Sequence, residues 1–115
     1  MTYQKWRPRL ARANDAALVP ITYIDELLAE GLAQYWASDD AAMVTRLVTW
    51  PGGAVTVEVI AASGKKADII GPLGEAVTAW GKDNGATHAL VAGRDGWRRE
   101  RPDFRHYQTL IIKEL

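Results

Sequence analysis

The spacing of apolar residues predicts two amphipathic helices. Between Thr22 and Trp36, apolar side chains recur at intervals of three, four and one, which forms one wide helical stripe. A second stripe runs over residues 67–83 and consists of Ile69, Leu73, Val77 and Trp80. Because proline disrupts a helix interior, this second helix either begins near Gly71-Pro72 or is kinked there. Asn84-Gly85 then provides a C-terminal signal.

A period of two predicts a β-hairpin in the middle of the chain. Its strands are expected at residues 43–50 and 54–62, where three valines alternate with Thr56 and Glu58. The segment Pro51-Gly52-Gly53 between the strands predicts a type II turn, in which proline fixes φ and glycine takes a positive φ.

Two further strands complete the predicted fold, at about residues 87–92 and 104–113. A helix that connects two strands of one sheet implies a parallel pair, whereas the hairpin implies antiparallel pairing. The fold class is therefore α/β (α+β), with a mixed, mainly antiparallel sheet flanked by helices.

The N-terminal residues show no clear period, and Pro8 is expected to interrupt any helix there. Residues 1–21 are therefore predicted to form a basic arm, and residues 22–115 a single domain. A length of 115 residues is sufficient for one such domain.

Composition excludes several classes of protein. The chain has no cysteine, which rules out disulfides, a thiolate nucleophile and a cysteine-based zinc site. No apolar run approaches 18 residues, so no transmembrane segment is expected, and the basic N-terminus lacks the apolar core of a signal peptide. A net charge of zero argues against a protein that binds nucleic acid over its whole surface.

The balanced charge hides an uneven distribution. Residues 1–14 carry four bases and no acid, residues 15–93 ten acids and four bases, and residues 94–115 six bases and four acids. The basic ends are either solvated or dock on an acidic partner, and the aromatic residues in the arm favour docking. Nucleic acid is a weaker alternative. The candidate docking residues are Tyr3, Lys5, Trp6, Arg7, Arg9, Arg12, Arg94, Arg98, Arg99 and Arg101.

The order of elements over residues 22–115 resembles the GNAT (GCN5-related N-acetyltransferase) fold. The endings Ala92-Gly93-Arg94-Asp95-Gly96-Trp97 and Leu110-Ile111-Ile112-Lys113-Glu114-Leu115 are similar to small GNAT-like proteins of tailed phages. This resemblance implies a non-catalytic virion structural or assembly protein that contacts other virion proteins, in a symmetric assembly, through its arm and its arginine-rich turn. The implied location is the virion or the host cytoplasm.

The same resemblance implies where acetyl-CoA would bind. GNAT enzymes hold its pyrophosphate on backbone N–H groups where a helix follows a strand. The corresponding residues here are Gly64, Lys65 and Lys66, but the family's leading Arg/Gln and its second glycine have no counterpart, and Asp68 is expected to repel phosphate. The expected cofactor is therefore none. The alternative function is an acetyl-CoA-dependent N-acetyltransferase.

Glu58 is the candidate catalytic residue, because some family members place a carboxylate on this strand to act through water. The alternative is a solvated residue on the polar face of the strand. The short helix at residues 97–101 lacks the tyrosine that active members use as an acid, and Tyr107 is expected in the core. His88 and His106 have no partner at metal-ligand spacing, so no metal site is predicted.

Overall fold

A computed structural model describes residues 2–92, 100–107, 111 and 113–115. Its helices are α1 Tyr3–Ala11, α2 Ile21–Ala29, α3 Lys66–Asp68 and α4 Gly74–Asp83, with a kinked π-helical segment at Ile69–Leu73. Its strands are β1 Gln34–Ala37, β2 Ala41–Thr49, β3 Val55–Gly64 and β4 His88–Val91.

The strands form one mixed sheet in the order β1-β2-β3-β4. Strands β1, β2 and β3 are antiparallel, and β4 runs parallel to β3. The predicted fold class and the predicted hairpin are both confirmed. The turn differs from the prediction, because Gly53, at φ 91°, and not Gly52 has the positive φ, which excludes a type II turn.

A β-bulge interrupts the hairpin at Ile60. Val44 is opposite Ala61 and Thr45 is opposite Val59, so Ile60 has no counterpart on β2. As a result, the consecutive residues Ile60 and Ala61 both pack into the core beneath α1 and α2. The bulge therefore changes the direction of β3 halfway along the strand.

The predicted helix over residues 22–36 is too long. Helix α2 ends at Ala29, and Gly31 follows with a φ of 73°. The Leu32 amide donates to the Leu27 carbonyl and the Gly31 amide to the Leu28 carbonyl, which is a Schellman ending. Residues 34–37 consequently form strand β1 instead of the last helical turn.

The helical segment after β3 follows the kinked alternative. Gly71 has non-helical angles (φ −97°, ψ −111°) directly before Pro72. Ile69, Leu73 and Val77 are buried on one side of the sheet, as the apolar stripe predicts. Helix α4 ends with Gly85 at a φ of 89°, in agreement with the Asn84-Gly85 signal.

The N-terminal prediction is wrong for residues 3–11, which form helix α1. Trp6 and Leu10 lie four residues apart on one face, and their exposed fractions are 1% and 0%. Burying these two large side chains beside Ile24 outweighs the hydrogen bond that Pro8 removes. The domain boundary at residue 21 stays a prediction, although both sides of it contribute to this core.

The face of the sheet beneath α4 has a second core, which includes a polar network. The Trp36 and Trp80 rings pack edge to face, with centroids 5.7 Å apart. Trp36 Nε1 donates to Thr45 Oγ1 at 2.9 Å, and that hydroxyl donates to Gln34 Oε1 at 3.0 Å. Thr45 is fully buried, so these bonds satisfy its hydroxyl inside the sheet.

The predicted C-terminal strand is described only in part. Residues 104–107 form no strand, and Tyr107 is 62% exposed, so it is not the predicted core residue. Residues 108–110 and 112 lie outside the described part of the chain. Most of the arginine-rich turn, with the candidate docking residues Arg94, Arg98 and Arg99, also lies outside it, as does Trp97. Among the helices that are described, none is long and apolar enough to cross a membrane.

Candidate functional site: a cleft beside the bulge of β3

A cleft lies beside the second half of β3. The described parallel pairing of β3 with β4 runs from Thr56 opposite His88 to Val59 opposite Val91, next to the bulge at Ile60. Beyond this point lies a cleft of about 800 Å³. Its walls come from the loop after α1, from α2, β2 and β3, and from the start of the helical segment after β3.

The second half of β3 forms the floor of this cleft. Ile60, Ala61, Ala62 and Gly64 line it, and three of these four are small. Within the described residues, the edge of Ile60–Gly64 that faces away from β2 pairs with no strand. Asn14 Nδ2 donates to the Ile60 carbonyl at 2.7 Å and so ties the loop after α1 to the bulge. The remaining edge can hydrogen-bond an extended ligand that carries amide groups.

Gly64 shapes one end of the cleft. Its φ is 109°, and a Cβ at this position would lie 2.3 Å from the Asp40 carbonyl oxygen and 2.6 Å from Ala41 Cα. The Lys65 amide donates to that same Asp40 carbonyl at 2.8 Å. Only glycine therefore fits the reversal that leads from β3 into the helical segment.

The helical segment that starts after Gly64 borders the same end. Gly64 and Lys66 line the cleft, whereas Lys65, the third predicted cofactor residue, is not among the lining residues. No described side chain caps the start of the segment at Lys66, and the first N–H groups of a helix have no partner within the helix. This end of the cleft therefore suits an anionic ligand group.

Two charges near this helix start have partners. Lys66 Nζ lies 2.8 Å from Glu100 Oε1, and Ser38 Oγ donates to Asp68 Oδ2 at 2.8 Å. Asp68 does not line the cleft, and Ser38 holds its carboxylate. A hydroxyl donor leaves the charge of the carboxylate in place, so the expected repulsion of phosphate by Asp68 stays a prediction.

A polar cluster of Tyr23, Arg46 and Glu58 lies at the other end of the cleft, and we call it the charged end. Arg46 and Glu58 are opposite each other in the hairpin, and Arg46 Nε lies 3.3 Å from Glu58 Oε2. Arg46 Nη1 donates to Tyr23 Oη at 3.4 Å. All three residues line the cleft. The cleft thus joins the predicted catalytic Glu58 to the predicted phosphate end.

Sequence reasoning identified Glu58 but not its two neighbours. The hairpin register, counted outward from the turn, pairs Arg46 with Glu58, so Arg46 could have been predicted as a neighbour of Glu58 from the sequence. Tyr23 had no comparable signal, because it belongs to the apolar stripe of α2 and its hydroxyl reaches Arg46 only in the folded structure.

Several predicted docking residues are occupied within the chain. Arg7 Nη2 lies 2.6 Å from Asp25 Oδ2, and Tyr3 Oη donates to Asp25 Oδ1 at 2.6 Å. The hydrogen bonds from Arg7 lower the pKa of Asp25, while burial and then Asp25 raise the pKa of Tyr3. Trp6 is buried, so Lys5, Arg9 and Arg12 are the exposed members of this set on and beside α1.

Arg101, the described docking candidate of the turn, contacts the kinked segment. Its Nη1 donates to the Ile70 carbonyl at 2.6 Å, next to the kink at Gly71. Its Nε and Nη2 bind the Asp103 carboxylate, which raises the pKa of Arg101 and lowers that of Asp103. Arg101 thus attaches the C-terminal segment to the helical segment, far along the chain from α1.

Solved acetyltransferase structures share this fold. The aminoglycoside antibiotic 6'-N-acetyltransferase of Acinetobacter haemolyticus aligns with 98% of this chain and 92% of its own, at 13% identity and a TM-score of 0.67. A predicted acetyltransferase of Clostridium acetobutylicum, crystallised with acetyl-CoA, aligns with 96% of this chain and 86% of its own, at 11% identity and a TM-score of 0.67. The ribosomal-protein-alanine N-acetyltransferase of Brucella melitensis biovar Abortus 2308 aligns with 96% of this chain and 92% of its own, at 12% identity and a TM-score of 0.60.

These likenesses establish a GNAT-like fold and nothing finer, because the identities are so low. No protein-family model matches the sequence, and no curated protein matches it significantly. The described residues contain no group of three His, Asp or Glu side chains that could hold a metal ion.

Proposed function

We propose that the protein is an acetyl-CoA-dependent N-acetyltransferase. One observation carries the proposal: one cleft runs along the second half of β3, whose outer edge pairs with no strand among the described residues, and joins the Glu58 carboxylate to the start of the helical segment at Lys66. A volume of about 800 Å³ lies within the range of small-molecule and cofactor sites. The fold that the chain shares with acetyltransferases supports the same function.

The described residues offer groups that suit acetyl-CoA along the cleft. The N–H groups of Lys66 and Ala67, at the start of the helical segment, would hold its pyrophosphate, and the edge of β3 at Ala61 and Ala62 would hydrogen-bond its amide-containing arm. Acetyl-CoA supplies the acetyl group as a thioester. The amine nitrogen would bond to the acetyl carbon, the carbon–sulfur bond would break, and coenzyme A would leave as the thiol. The second glycine of the family pattern has no counterpart here. The close approach of the backbone at this turn therefore depends on Gly64.

Glu58 is the residue that would remove the proton of the amine. Its Oε2 is held by Arg46, and within the described part of the chain its Oε1 has no partner. That oxygen can accept the proton directly or through one water molecule. Arg46 would orient the carboxylate from the opposite strand, and the nearby bulge keeps the strand edge beyond Glu58 open to the cleft.

The assembly role predicted from the sequence remains a hypothesis. The aromatic and basic side chains of α1 suggested it, but Trp6 is buried and Asp25 binds both Tyr3 and Arg7. Lys5, Arg9 and Arg12 are still exposed on this side of the molecule. The cleft has the more specific chemistry, and we therefore favour the enzyme.

Calorimetry with acetyl-CoA, followed by an assay of coenzyme A thiol release with a panel of amines, tests the proposal. Glu58→Gln should lower kcat by about 100- to 10,000-fold and leave the affinity for acetyl-CoA unchanged, because it removes only the base. Glu75→Gln, an exposed change on α4, is the matched control and should behave as the original protein. The absence of both binding heat and a thermal shift at millimolar acetyl-CoA would refute the enzyme.

A further inference from the structure

We infer that the amine acceptor is a zwitterion of the α-amino-acid type, with its carboxylate on Arg46 and its amino group at Glu58. This inference rests on the proposed acetyltransferase function and names the substrate class for the charged end of the cleft. It starts from the charge balance there. Among the described residues that line the cleft, Glu58 is the single acid, and Arg46 and Lys66 are the bases.

A cleft with this balance does not suit a polycationic acceptor. Binding several ammonium groups requires several carboxylates, whereas the one carboxylate here is already neutralised by Arg46 at 3.3 Å. Lys66 is itself paired with Glu100 and belongs to the phosphate end. The charged end is therefore neutral overall, and it complements a ligand that is also neutral overall but carries both charges.

The geometry of the pair matches such a ligand. Arg46 and Glu58 are directly opposite each other on adjacent strands, so their charges lie side by side. An α-amino acid carries its ammonium and its carboxylate on one carbon atom, and it can align antiparallel to this pair. Its carboxylate then meets the guanidinium and its ammonium meets the Glu58 carboxylate.

Both protein groups have capacity for these bonds. Arg46 uses Nε for Glu58 and Nη1 for Tyr23, and within the described chain its Nη2 has no partner. Glu58 Oε1 is equally without one there. The side chains are 33% and 25% exposed, so the pair is open to a ligand but is partly shielded from water. Both charged groups of the ligand would thus be recognised in the same place.

The surroundings of the pair indicate the rest of the ligand. Val19 and Ile60 also line the cleft, and both are half-buried. They offer an apolar wall to the side chain of the acceptor. Tyr23 is 41% exposed, and its hydroxyl can add a hydrogen bond beside Arg46. An apolar α-amino acid therefore fits better than a charged one.

Matched ligand pairs test this inference without turnover. L-leucine, L-methionine and L-phenylalanine are titrated into the protein by NMR, each against the amine that remains when its carboxyl group is removed. The amino acids should bind at least tenfold more tightly than the amines and should shift the amide signals of Arg46 and Glu58. Spermidine serves as the polycationic comparison.

Variants of Arg46 make the test specific. Arg46→Gln should remove the tenfold preference by weakening only the amino acids, Arg46→Lys should restore part of it, and Tyr23→Phe should have a smaller effect. The NMR spectrum of each variant reports whether it folds. Equal binding of amino acids and amines, tighter binding of spermidine, no binding of any amino acid, or equal losses for both ligand classes in Arg46→Gln would overturn the inference.

The two proposals fail in different ways. Loss of acetyl-CoA binding refutes the acetyltransferase, whatever the amino acids do. If acetyl-CoA binds and amines release thiol without a preference for the carboxylate, the enzyme stands and only the zwitterionic acceptor is wrong.

Discussion

The two faces of the sheet are closed in different ways. Under α4, apolar side chains and the Trp36–Trp80 pair form a core in which the buried Thr45 hydroxyl both accepts and donates a hydrogen bond. Under α1 and α2, the core gives way to paired charges at Asp25 and at Glu58. The α4 face is therefore closed by apolar packing and neutral hydrogen bonds, whereas the opposite face combines an apolar core with charge pairs at its margin.

The largest effect is expected for Trp6→Ala, which removes a buried side chain from the core beneath α1. Truncating a buried tryptophan costs about 3–5 kcal/mol, a large share of the stability of a domain of this size. Urea denaturation should report that loss. Lys5→Ala, on the exposed side of the same helix, should change stability by less than about 0.5 kcal/mol. Equal effects of the two variants would show that α1 is not part of the core.

Gly64→Ala is expected to strain the turn that shapes the cleft at the end of β3. A left-handed conformation costs a non-glycine residue about 1–3 kcal/mol, and the overlap with the Asp40 carbonyl adds to this. Thermal unfolding should show the loss, and calorimetry should show weaker binding of acetyl-CoA. Gly52→Ala is the control, since Gly52 has open space around it and no positive φ. Unchanged stability in Gly64→Ala would contradict the described turn.

Thr45→Val tests the polar network on the α4 face of the sheet. It removes the acceptor of Trp36 Nε1 and the donor to Gln34, which should cost about 1–3 kcal/mol. Acetyl-CoA affinity should remain as it is, because Thr45 does not line the cleft. A variant that kept its stability but lost affinity would show that the two faces are not separate in function.

The smallest effect is expected at Asp25. Hydrogen bonds from Arg7 hold its folded-state pKa below the usual value near 4, so the ion pair stabilises the fold above about pH 4. This contribution disappears as the pH falls through the lowered pKa. Both side chains are partly exposed, so water screens the pair and its contribution to stability should be small. Asp25→Asn should flatten the acid side of the stability profile, and an unchanged profile would rule out this pair as its cause.

The hairpin and the crossover could be predicted because their signals are local. Alternating valines with Pro-Gly between the strands specify β2 and β3, and Pro72 with Asn84-Gly85 marks the kink and the end of the helical segment. Each of these features depends on residues close together in the sequence. The same is true of the general position of Glu58 on β3.

The errors come from tertiary packing and from one glycine. The predicted helix over residues 22–36 runs through Gly31, but the positive φ of this glycine ends α2, and Tyr35 and Trp36 become strand residues. Pro8 suggested an irregular arm because burial of Trp6 and Leu10 against α2 and the sheet is not visible locally. The partners of the Glu58 carboxylate likewise depend on the register of β2 and the position of α2.

The topology of the sheet also has a consequence for the order of folding. Strands β1, β2 and β3 follow one another along the chain and can close as successive hairpins, whereas β4 pairs with β3 only across the long helical crossover. Because longer loops cost more entropy to close, we expect the β3–β4 pairing to form after the hairpins. The pairing of Val59 with Val91, which borders the cleft, belongs to this later step. Among the described strands, the mouth of the site would therefore lie at the pairing that forms last.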